Sequence, residues 1–293
     1  MKKIRQHLVS ILLVTIIAVG VGLMAYPSLA NYWNSFHQSR AIMDYQDRVT
    51  HMDENDYKKI INRAKEYNKQ FKTSGMKWHM TDQERLDYNS QLAIDKTGNM
   101  GYISIPKINI KLPLYHGTSE KVLQTSIGHL EGSSLPIGGD SDSTHSILSG
   151  HRGLPSSRLF SDLDKLKVGD HWTVSILNET YTYQVDQIRT VKPDDLRDLQ
   201  IVKGKDYQTL VTCTPYGVNT HRLLVRGHRV PNDNGNALVV AEAIQIEPIY
   251  IAPFIAIFLT LILLLIFLEV TRRARQHKKI LKQAMRKEEN NDL

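Results

Sequence analysis

Two long apolar stretches lie near the ends of the chain and frame a more polar middle. The first runs from Leu8 to Ala25 and the second from Ile249 to Leu268, and neither contains a charged residue. At about 1.5 Å of rise per residue, a helix of this length nearly or fully crosses a hydrocarbon core of about 30 Å. The pattern therefore predicts a membrane helix on each side of a central domain.

A cleaved signal peptide is the alternative interpretation of the first stretch, because Ser28, Leu29 and Ala30 form a small-x-small triplet. Signal peptides usually contain an apolar region of about 7 to 15 residues. The first stretch is longer than that, which favours an uncleaved anchor.

The segment from residue 31 to residue 71 is polar and contains no glycine or proline. One apolar stripe repeats at spacings of four, three and four positions, as expected for an α-helix, and it consists of Ile60, Ala64, Tyr67 and Phe71. Asp53 or Asn55 can cap the start of this helix. We predict helices packed against the main domain, followed by a loop over Lys72 to Asn89, where the periodicity is weak.

After Gly98 the pattern changes to short β-rich runs bounded by Gly, Pro, Asn and Asp. Seven strands are predicted: Met100 to Ile105, Ile110 to Leu114, Thr144 to Ser149, His171 to Leu177, Tyr181 to Val191, Gln208 to Cys213, and Arg222 to His228. Short strands separated by turn signals favour a mainly β fold, here a closed or nearly closed β-barrel. Helical insertions are predicted at Ser119 to Thr125 and around Leu159 to Leu166.

The formal net charge is +7, and it is concentrated at the two ends. Three basic residues precede the first apolar stretch and eight follow the second, whereas residues 8–268 hold equal numbers of acidic and basic side chains. Basic flanks mark the cytoplasmic ends of membrane helices. We therefore expect both termini in the cytoplasm, the middle of the chain outside the cell, and membrane lipid rather than nucleic acid as a partner.

Cys213 is the only cysteine in the sequence. An exported domain with one cysteine has no internal disulfide, so its stability depends on its own core. Cys213 ends a predicted strand and precedes Thr214-Pro215-Tyr216-Gly217, which must turn. A side chain at a strand end is exposed yet rigidly held, which suits a nucleophile. A buried, inert thiol remains the alternative.

Two further side chains would complete a thiol-based acyl-transfer site. Arg222 begins the next predicted strand, and an antiparallel return brings its guanidinium beside the thiol, where a cation favours the thiolate and can stabilise an oxyanion. A solvated surface charge is the alternative for this residue. An imidazole is also needed to move protons, and His151 is well placed because it follows a predicted strand and precedes a turn. Other histidines lie in comparable loops and remain open from spacing alone: His116, His129 and His221.

Three segments resemble a known family, the sortases. The segment from Thr209 to Gly227 resembles the TLxTC signature with its downstream arginine. The LSGHRG segment around His151 resembles the family's histidine segment. The segment from Met100 to His116 resembles the opening strands of the sortase barrel. The matches occur in family order over residues 98–231. The extended forms, including Gly132 to Pro136 and His151 to Pro155, are most similar to class C, the pilin polymerases of Gram-positive bacteria.

The resemblance implies roles for the three candidate residues. Cys213 would be the nucleophile, His151 the general acid and base, and Arg222 the oxyanion-stabilising or substrate-positioning residue. The implied reaction is cleavage of an LPxTG-type sorting signal through a thioester, which a pilin lysine then resolves. The implied partners are pilin subunits with LPxTG-like signals, and no metal or organic cofactor is implied. Three residues flanking the nucleophile are candidates for the substrate groove: Thr212, Thr214 and Tyr216.

One departure concerns the lid that class C sortases commonly carry before the barrel. The family's Asp-Pro-aromatic motif is missing, since the sequence contains no Asp-Pro dipeptide. Trp78 is the aromatic residue in the corresponding stretch and is the candidate plug. The alternative is an open site.

These expectations divide the chain into six segments: a cytoplasmic tip and anchor or signal at 1–29, a helical region with the lid position at 30–97, the catalytic barrel at 98–232, a linker at 233–248, a transmembrane helix at 249–270 and a basic cytoplasmic tail at 271–293. Three other functions remain open. They are a sortase that attaches proteins to peptidoglycan amines, a papain-like cysteine peptidase and a membrane-tethered binding scaffold.

Overall fold

The computed structural model describes residues 2–138 and 143–232, together with a few separate helical positions between 259 and 274. The chain forms two compact units, one of Ala30–Gln245 and one of Met1–Leu29 with Ile246–Leu293. The predicted linker at 233–248 lies outside the described residues. So do most of the second apolar stretch and most of the basic tail.

The centre of the larger unit is a closed β-barrel. Within the described residues its strands are β1 (Asn99–Ile105), β2 (Ile110–His116), β3 (Ile127–His129), β4 (Thr144–Ser149), β5 (His171–Ile176), β6 (Glu179–Val191), β7 (Asp206–Thr214) and β8 (His221–Val230). They close in the order β1-β2-β3-β4-β7-β8-β6-β5. The β2–β3 and β4–β7 pairs are parallel and the others antiparallel. Closure leaves no unpaired sheet edge.

The predicted mainly β barrel is confirmed, and each of the seven predicted strands is present with ends shifted by a few residues. Strand β3 was not predicted. It contains three residues, too few for an alternating pattern to show, and all three are buried. It exists because it bridges β2 and β4, which closes the barrel between them.

In the described part of the chain four helices precede the barrel, and the C-terminal part of the first helix and the three that follow pack on the barrel surface. They are α1 (Lys2–Thr50), α2 (Glu54–Lys69), α3 (Phe71–Ser74) and α4 (Asp82–Ser90). Asp53 caps α2 as predicted, since its side chain accepts a hydrogen bond from the backbone N–H of Asn55. The predicted stripe faces the core, with Ala64 fully buried. The Tyr45 hydroxyl joins α1 to the barrel by donating to Met100 O at 2.7 Å and accepting from Leu177 N at 2.8 Å.

Two local predictions were wrong. The expected loop at Lys72 to Asn89 contains α4, whose start is fixed by a capping box between Thr81 and Glu84 rather than by an apolar stripe. The expected helix around Leu159 to Leu166 is only a 3₁₀ turn at Leu163–Lys165. The helix predicted at Ser119 to Thr125 is present as α5 (Glu120–Leu123).

The N-terminal half of α1 is the part of the described chain that fits a membrane span. Among the described residues, one helical segment, Thr15–Thr50, is long and apolar enough to cross a bilayer, and its position near the N-terminus also fits a signal sequence. Apolar side chains such as Leu12, Ile16 and Leu23 are exposed along it.

Candidate active site

The parallel pairing of β4 and β7 brings two candidate residues to the same rim of the barrel. The last paired positions are Ser149 and Val211, and parallel strands end at the same edge. The pairing continues one step further, since Gly150 N donates to Val211 O at 3.1 Å. His151 directly follows Gly150 after β4, and Cys213 lies two positions after Val211 on β7. Both side chains therefore leave the barrel at this rim.

The antiparallel pairing of β7 and β8 places Cys213 directly opposite Arg222. Residues that face each other in an antiparallel pair project on the same side of the sheet, so the thiol and the guanidinium share one face. Cys213 is half-buried. The Arg222 Nη1 donates to two backbone carbonyls, Asn219 O in the β7–β8 connection at 3.3 Å and His221 O in the first residue of β8 at 3.1 Å. These bonds hold the guanidinium at the end of β8.

His151 is partly exposed and lies beside one acidic side chain, that of Glu120. Its side chain is 28% exposed, and the Glu120 Oε2 lies 3.5 Å from its Nε2. That distance is beyond the usual range of a hydrogen bond, about 2.7 to 3.2 Å. Nε2 is buried and has no hydrogen-bond partner among the described residues. The backbone is fixed by Phe160 N, which donates to His151 O at 3.1 Å.

The competing histidines are less suited to proton transfer. Burial lowers the pKa of His129 to about 3, and its ring nitrogens contact the Tyr88 hydroxyl and Ser134 O. Burial also lowers the pKa of His116, which contacts two backbone carbonyls. His221 directly precedes Arg222 on β8 and therefore projects to the opposite face. The geometry favours His151.

Arg152, which follows His151, ties the histidine loop to the cysteine strand. Its guanidinium is nearly buried and pairs with Asp164 Oδ2 at 2.6 Å. It also donates to Ser161 O at 3.2 Å and to the Thr214 Oγ1 at 3.0 Å. A buried cation needs such partners to offset its desolvation. The sequence did not identify this brace, although Arg152 stands within the HRG segment.

The three groove candidates occupy different positions. Thr212 is buried and its hydroxyl donates to Gly150 O at 2.7 Å, so it links β7 to the histidine loop and, against expectation, does not line the Cys213 face. Thr214 accepts the hydrogen bond from Arg152. Tyr216 is 60% exposed, and its ring lies against Gly153, where a β-carbon would come 3.2 Å from the ring. Of the three, Tyr216 is accessible to a ligand.

Trp78 lies on the same outer face of the sheet as Cys213. It packs on a cluster that includes Ile147 of β4 and Leu224 of β8, and Val211 of β7 packs against the same cluster. Val211 is opposite Leu224 and two positions before Cys213, so these side chains project on the thiol's side. The chain next to Trp78 is held by Lys77 N, which donates to Gly132 O at 2.9 Å.

Metal ligation has no candidate in the described part of the chain. No group of three or more His, Cys, Asp or Glu side chains there could hold a metal ion.

Comparison with known proteins gives consistent results. The family model described as Sortase domain matches residues 103–230. Sortase A of Staphylococcus aureus is 30% identical over 75% of this chain and 93% of its own length. The crystal structure of sortase C1 from Streptococcus agalactiae is 98% identical, with a TM-score of 0.65, over 66% of this chain and 100% of the solved one. Streptococcus pneumoniae sortase C is 41% identical over 66% of this chain and 97% of its own, with a TM-score of 0.58. The structure of that protein is described in terms of catalysis and pilin substrate specificity.

Proposed function

The chain belongs to the sortase family of cysteine transpeptidases, and from that premise we propose that it polymerises pili as a class C sortase. In this proposal it cleaves LPxTG-type sorting signals of pilin subunits and joins the new carboxyl end to a pilin lysine. The observation that carries the proposal is the strand register, in which Cys213 faces Arg222 while β4 runs beside β7 and leads into His151. Similarity to class C structures supports the choice of class.

The first half-reaction forms a thioester. The Cys213 thiolate attacks the carbonyl carbon of the threonine in the sorting signal, and Arg222 donates hydrogen bonds to the oxyanion that develops. His151 then donates a proton to the leaving glycine amine as the C–N bond breaks. Donors on a rigid strand end need little reorganisation when charge develops, which favours the reaction.

The second half-reaction transfers the acyl group to a lysine. The ε-amine attacks the thioester carbonyl, a C–N bond forms, and the C–S bond breaks to release the thiolate. His151 accepts a proton from the attacking nitrogen. The product is an isopeptide bond between two pilin subunits, and repetition of the cycle lengthens the pilus.

We assign the segment around Trp78 as a lid over the substrate groove. Its packing on the cluster that contains Ile147 and Leu224 supports this assignment, because an extended peptide that reaches Cys213 along β4 and β7 must occupy the same face. Binding of a sorting signal then requires the segment to move away.

The membrane arrangement follows from the apolar stretches and their basic flanks. Both termini lie in the cytoplasm, the first stretch is an uncleaved anchor, and the catalytic barrel lies outside the cell. The apolar, exposed N-terminal part of α1 supports the first anchor. Protease added to intact cells should digest an epitope inserted in the barrel and spare epitopes at both ends.

The decisive experiment incubates the full-length chain in detergent micelles with a purified pilin. We expect a ladder of covalent pilin oligomers that resists boiling in detergent and is lost in Cys213→Ala and His151→Ala enzymes. Transfer to a peptidoglycan-precursor amine without a ladder would instead indicate a sortase that anchors proteins to the wall. A chain that keeps its cellular function after Cys213→Ala would be a binding scaffold.

A further inference from the structure

The residue that faces His151 from the neighbouring element is Glu120, on the first turn of α5. The connection between β2 and β3 carries this helix to the rim where β4 and β7 end. Glu120 Oε2 lies 3.5 Å from His151 Nε2, and the Glu120 side chain is 70% exposed. The carboxylate therefore borders both the histidine and the solvent from which a second substrate arrives.

The orientation of the carboxylate is set by its own helix and by α1. Gln124 Nε2 donates to Glu120 Oε1 at 2.5 Å, which leaves Oε2 directed at His151. The end of α5 is held by the buried Gln38, whose Nε2 donates to Thr125 O at 2.6 Å and to the Ser157 Oγ in the histidine loop at 3.2 Å. One side chain thus fixes the element that bears Glu120 and the loop that bears His151.

The charge of Glu120 is uncompensated by a fixed cation. Across residues 2–138 and 143–232, no lysine or arginine forms an ion pair with it. Arg152, the nearest cation along the chain from His151, is paired with Asp164. An exposed carboxylate without a lysine or arginine partner beside a proton-accepting group attracts a cationic ligand.

We propose that Glu120 is the recognition site for the ammonium group of the acceptor lysine, a role that rests on the function proposed above. In this proposal the amine reaches His151 Nε2, which is buried in the free chain. With its nitrogen hydrogen-bonded there at about 3 Å, the amine lies at most about 6.5 Å from Glu120 Oε2, given the 3.5 Å between Oε2 and Nε2. The position that the acceptor must occupy for proton transfer is thus within the field of this carboxylate.

The proton balance explains why such a site is useful. A lysine arrives as an ammonium ion, since its pKa is about 10.4. It loses one proton to solvent water as the free amine forms. The second proton passes to the His151 imidazole while the N–C bond forms and the C–S bond breaks, which leaves Cys213 as a thiolate. Glu120 concentrates the cation at the imidazole and takes no part in bond making.

The experiment compares two acceptors of the same acyl-enzyme, formed from full-length chain in detergent micelles and a sorting-signal peptide. One acceptor is Nα-acetyl-lysine amide, whose ε-ammonium is cationic. The other is hydroxylamine, which is largely uncharged near neutral pH. For Glu120→Gln, which keeps the shape and removes the charge, we expect kcat/KM for the lysine acceptor to fall about threefold to fivefold at low salt, as for an exposed ion pair. Acylation and hydroxylamine transfer should be unchanged.

A matched control removes an equally exposed carboxylate elsewhere in the unit. Glu66 on α2 has a side chain that is 71% exposed, and Glu66→Gln should leave both acceptors unaffected. High salt should reduce the difference in kcat/KM for the lysine acceptor between wild type and Glu120→Gln, because screening weakens a surface ion pair.

Three results separate the possibilities. If Glu120→Gln slows acylation or hydroxylamine transfer as much as lysine transfer, the carboxylate acts through His151 and the recognition role is refuted. If lysine transfer is unchanged, the inference is also refuted while the proposed function stands. If the wild-type chain forms no thioester, or forms one that yields no lysine amide, the proposed function itself fails.

Discussion

Gly132 is the position at which the proposed lid can be released with least disturbance to the barrel. Its backbone O accepts from Lys77 N at 2.9 Å, and a β-carbon placed on it would lie 1.8 Å from Lys77 O. Non-bonded atoms do not approach so closely, so in Gly132→Ala the segment before Trp78 must move by more than about 1 Å or leave the surface.

The expected effect has two parts. Loss of the Lys77–Gly132 hydrogen bond costs about 1 kcal/mol, which multiplies the population of the open segment by about five. The steric overlap adds to this, so fivefold is a lower limit. Gly132 has a φ of +84°, and an alanine at positive φ costs about 1 to 2 kcal/mol. That strain is present with the lid open or closed and does not favour opening.

The assay is alkylation of the thiol by iodoacetamide, followed by mass spectrometry of the intact chain. Cys213 is the single cysteine, so every added group reports on one site. When opening is fast compared with alkylation, the rate is proportional to the open population. We expect Gly132→Ala to react at least fivefold faster than wild type.

The control is Gly169→Ala. Gly169 has a φ of +94° and no atom within 4 Å of an added β-carbon, so it carries the same backbone strain without touching the lid. Trp78→Ala should also accelerate alkylation, because it removes the packing of the segment on the cluster that contains Ile147 and Leu224. Equal alkylation rates for Gly132→Ala, Gly169→Ala and wild type would refute the assignment of this segment as a lid.

Three further predictions concern other parts of the molecule. Arg222→Lys should lower kcat of acylation about 10²- to 10³-fold with little change in KM, because lysine lacks the planar fork of donors. A rise in KM of that size with kcat unchanged would indicate a role in substrate binding only. Gln38→Leu should lower the free energy of unfolding in urea by about 1 to 3 kcal/mol and slow acylation, since one buried and one part-buried hydrogen bond are lost. An unchanged acylation rate would show that Gln38 does not position the histidine loop. Acidification should destabilise the fold. Burial lowers the pKa of His129 from 6.5 to about 3, so below pH 6.5 the unfolded chain takes up a proton at this residue that the folded chain does not. The stability present above pH 6.5 is therefore lost as pH falls, by up to about 1.4 kcal/mol per pH unit. Melting temperatures at neutral and mildly acidic pH test this, and a His129→Gln variant with the same pH slope would contradict it.

The barrel could be predicted because its strands have local signals. Runs such as β7 are rich in β-branched and apolar residues and are followed by turn residues, and this pattern is visible without tertiary information. Strand β3 has no such signal, since its three residues are strand only because β2 and β4 lie on either side. The helix α4 was missed for a different reason: it is held by its cap and buries one residue, Tyr88.

The sequence indicated the three candidate catalytic residues, and it did not indicate the residues that hold them in place. Cys213 and Arg222 are nine positions apart and joined by one turn, so a hairpin argument places them together. His151 needed the family resemblance, because spacing alone left several histidines open. The contacts of Glu120 and Gln38 with the histidine loop cross 31 and 119 positions of sequence, and no local pattern indicates which residues meet over such separations.

Under the proposed function, the two-sided pairing of β7 has a mechanical consequence for the attached pilus. Cys213 is the penultimate residue of β7, a strand that pairs in register with β4 as far as Val211 and with β8 as far as Thr214. When drag on an attached fibre pulls along the strand direction, the backbone hydrogen bonds on both sides are sheared together and none is peeled alone. If the proposed thioester forms, the attached pilin is anchored through β7 to both neighbouring strands of the barrel, and the proposed pilus would bear tension at this point without unzipping one strand pair.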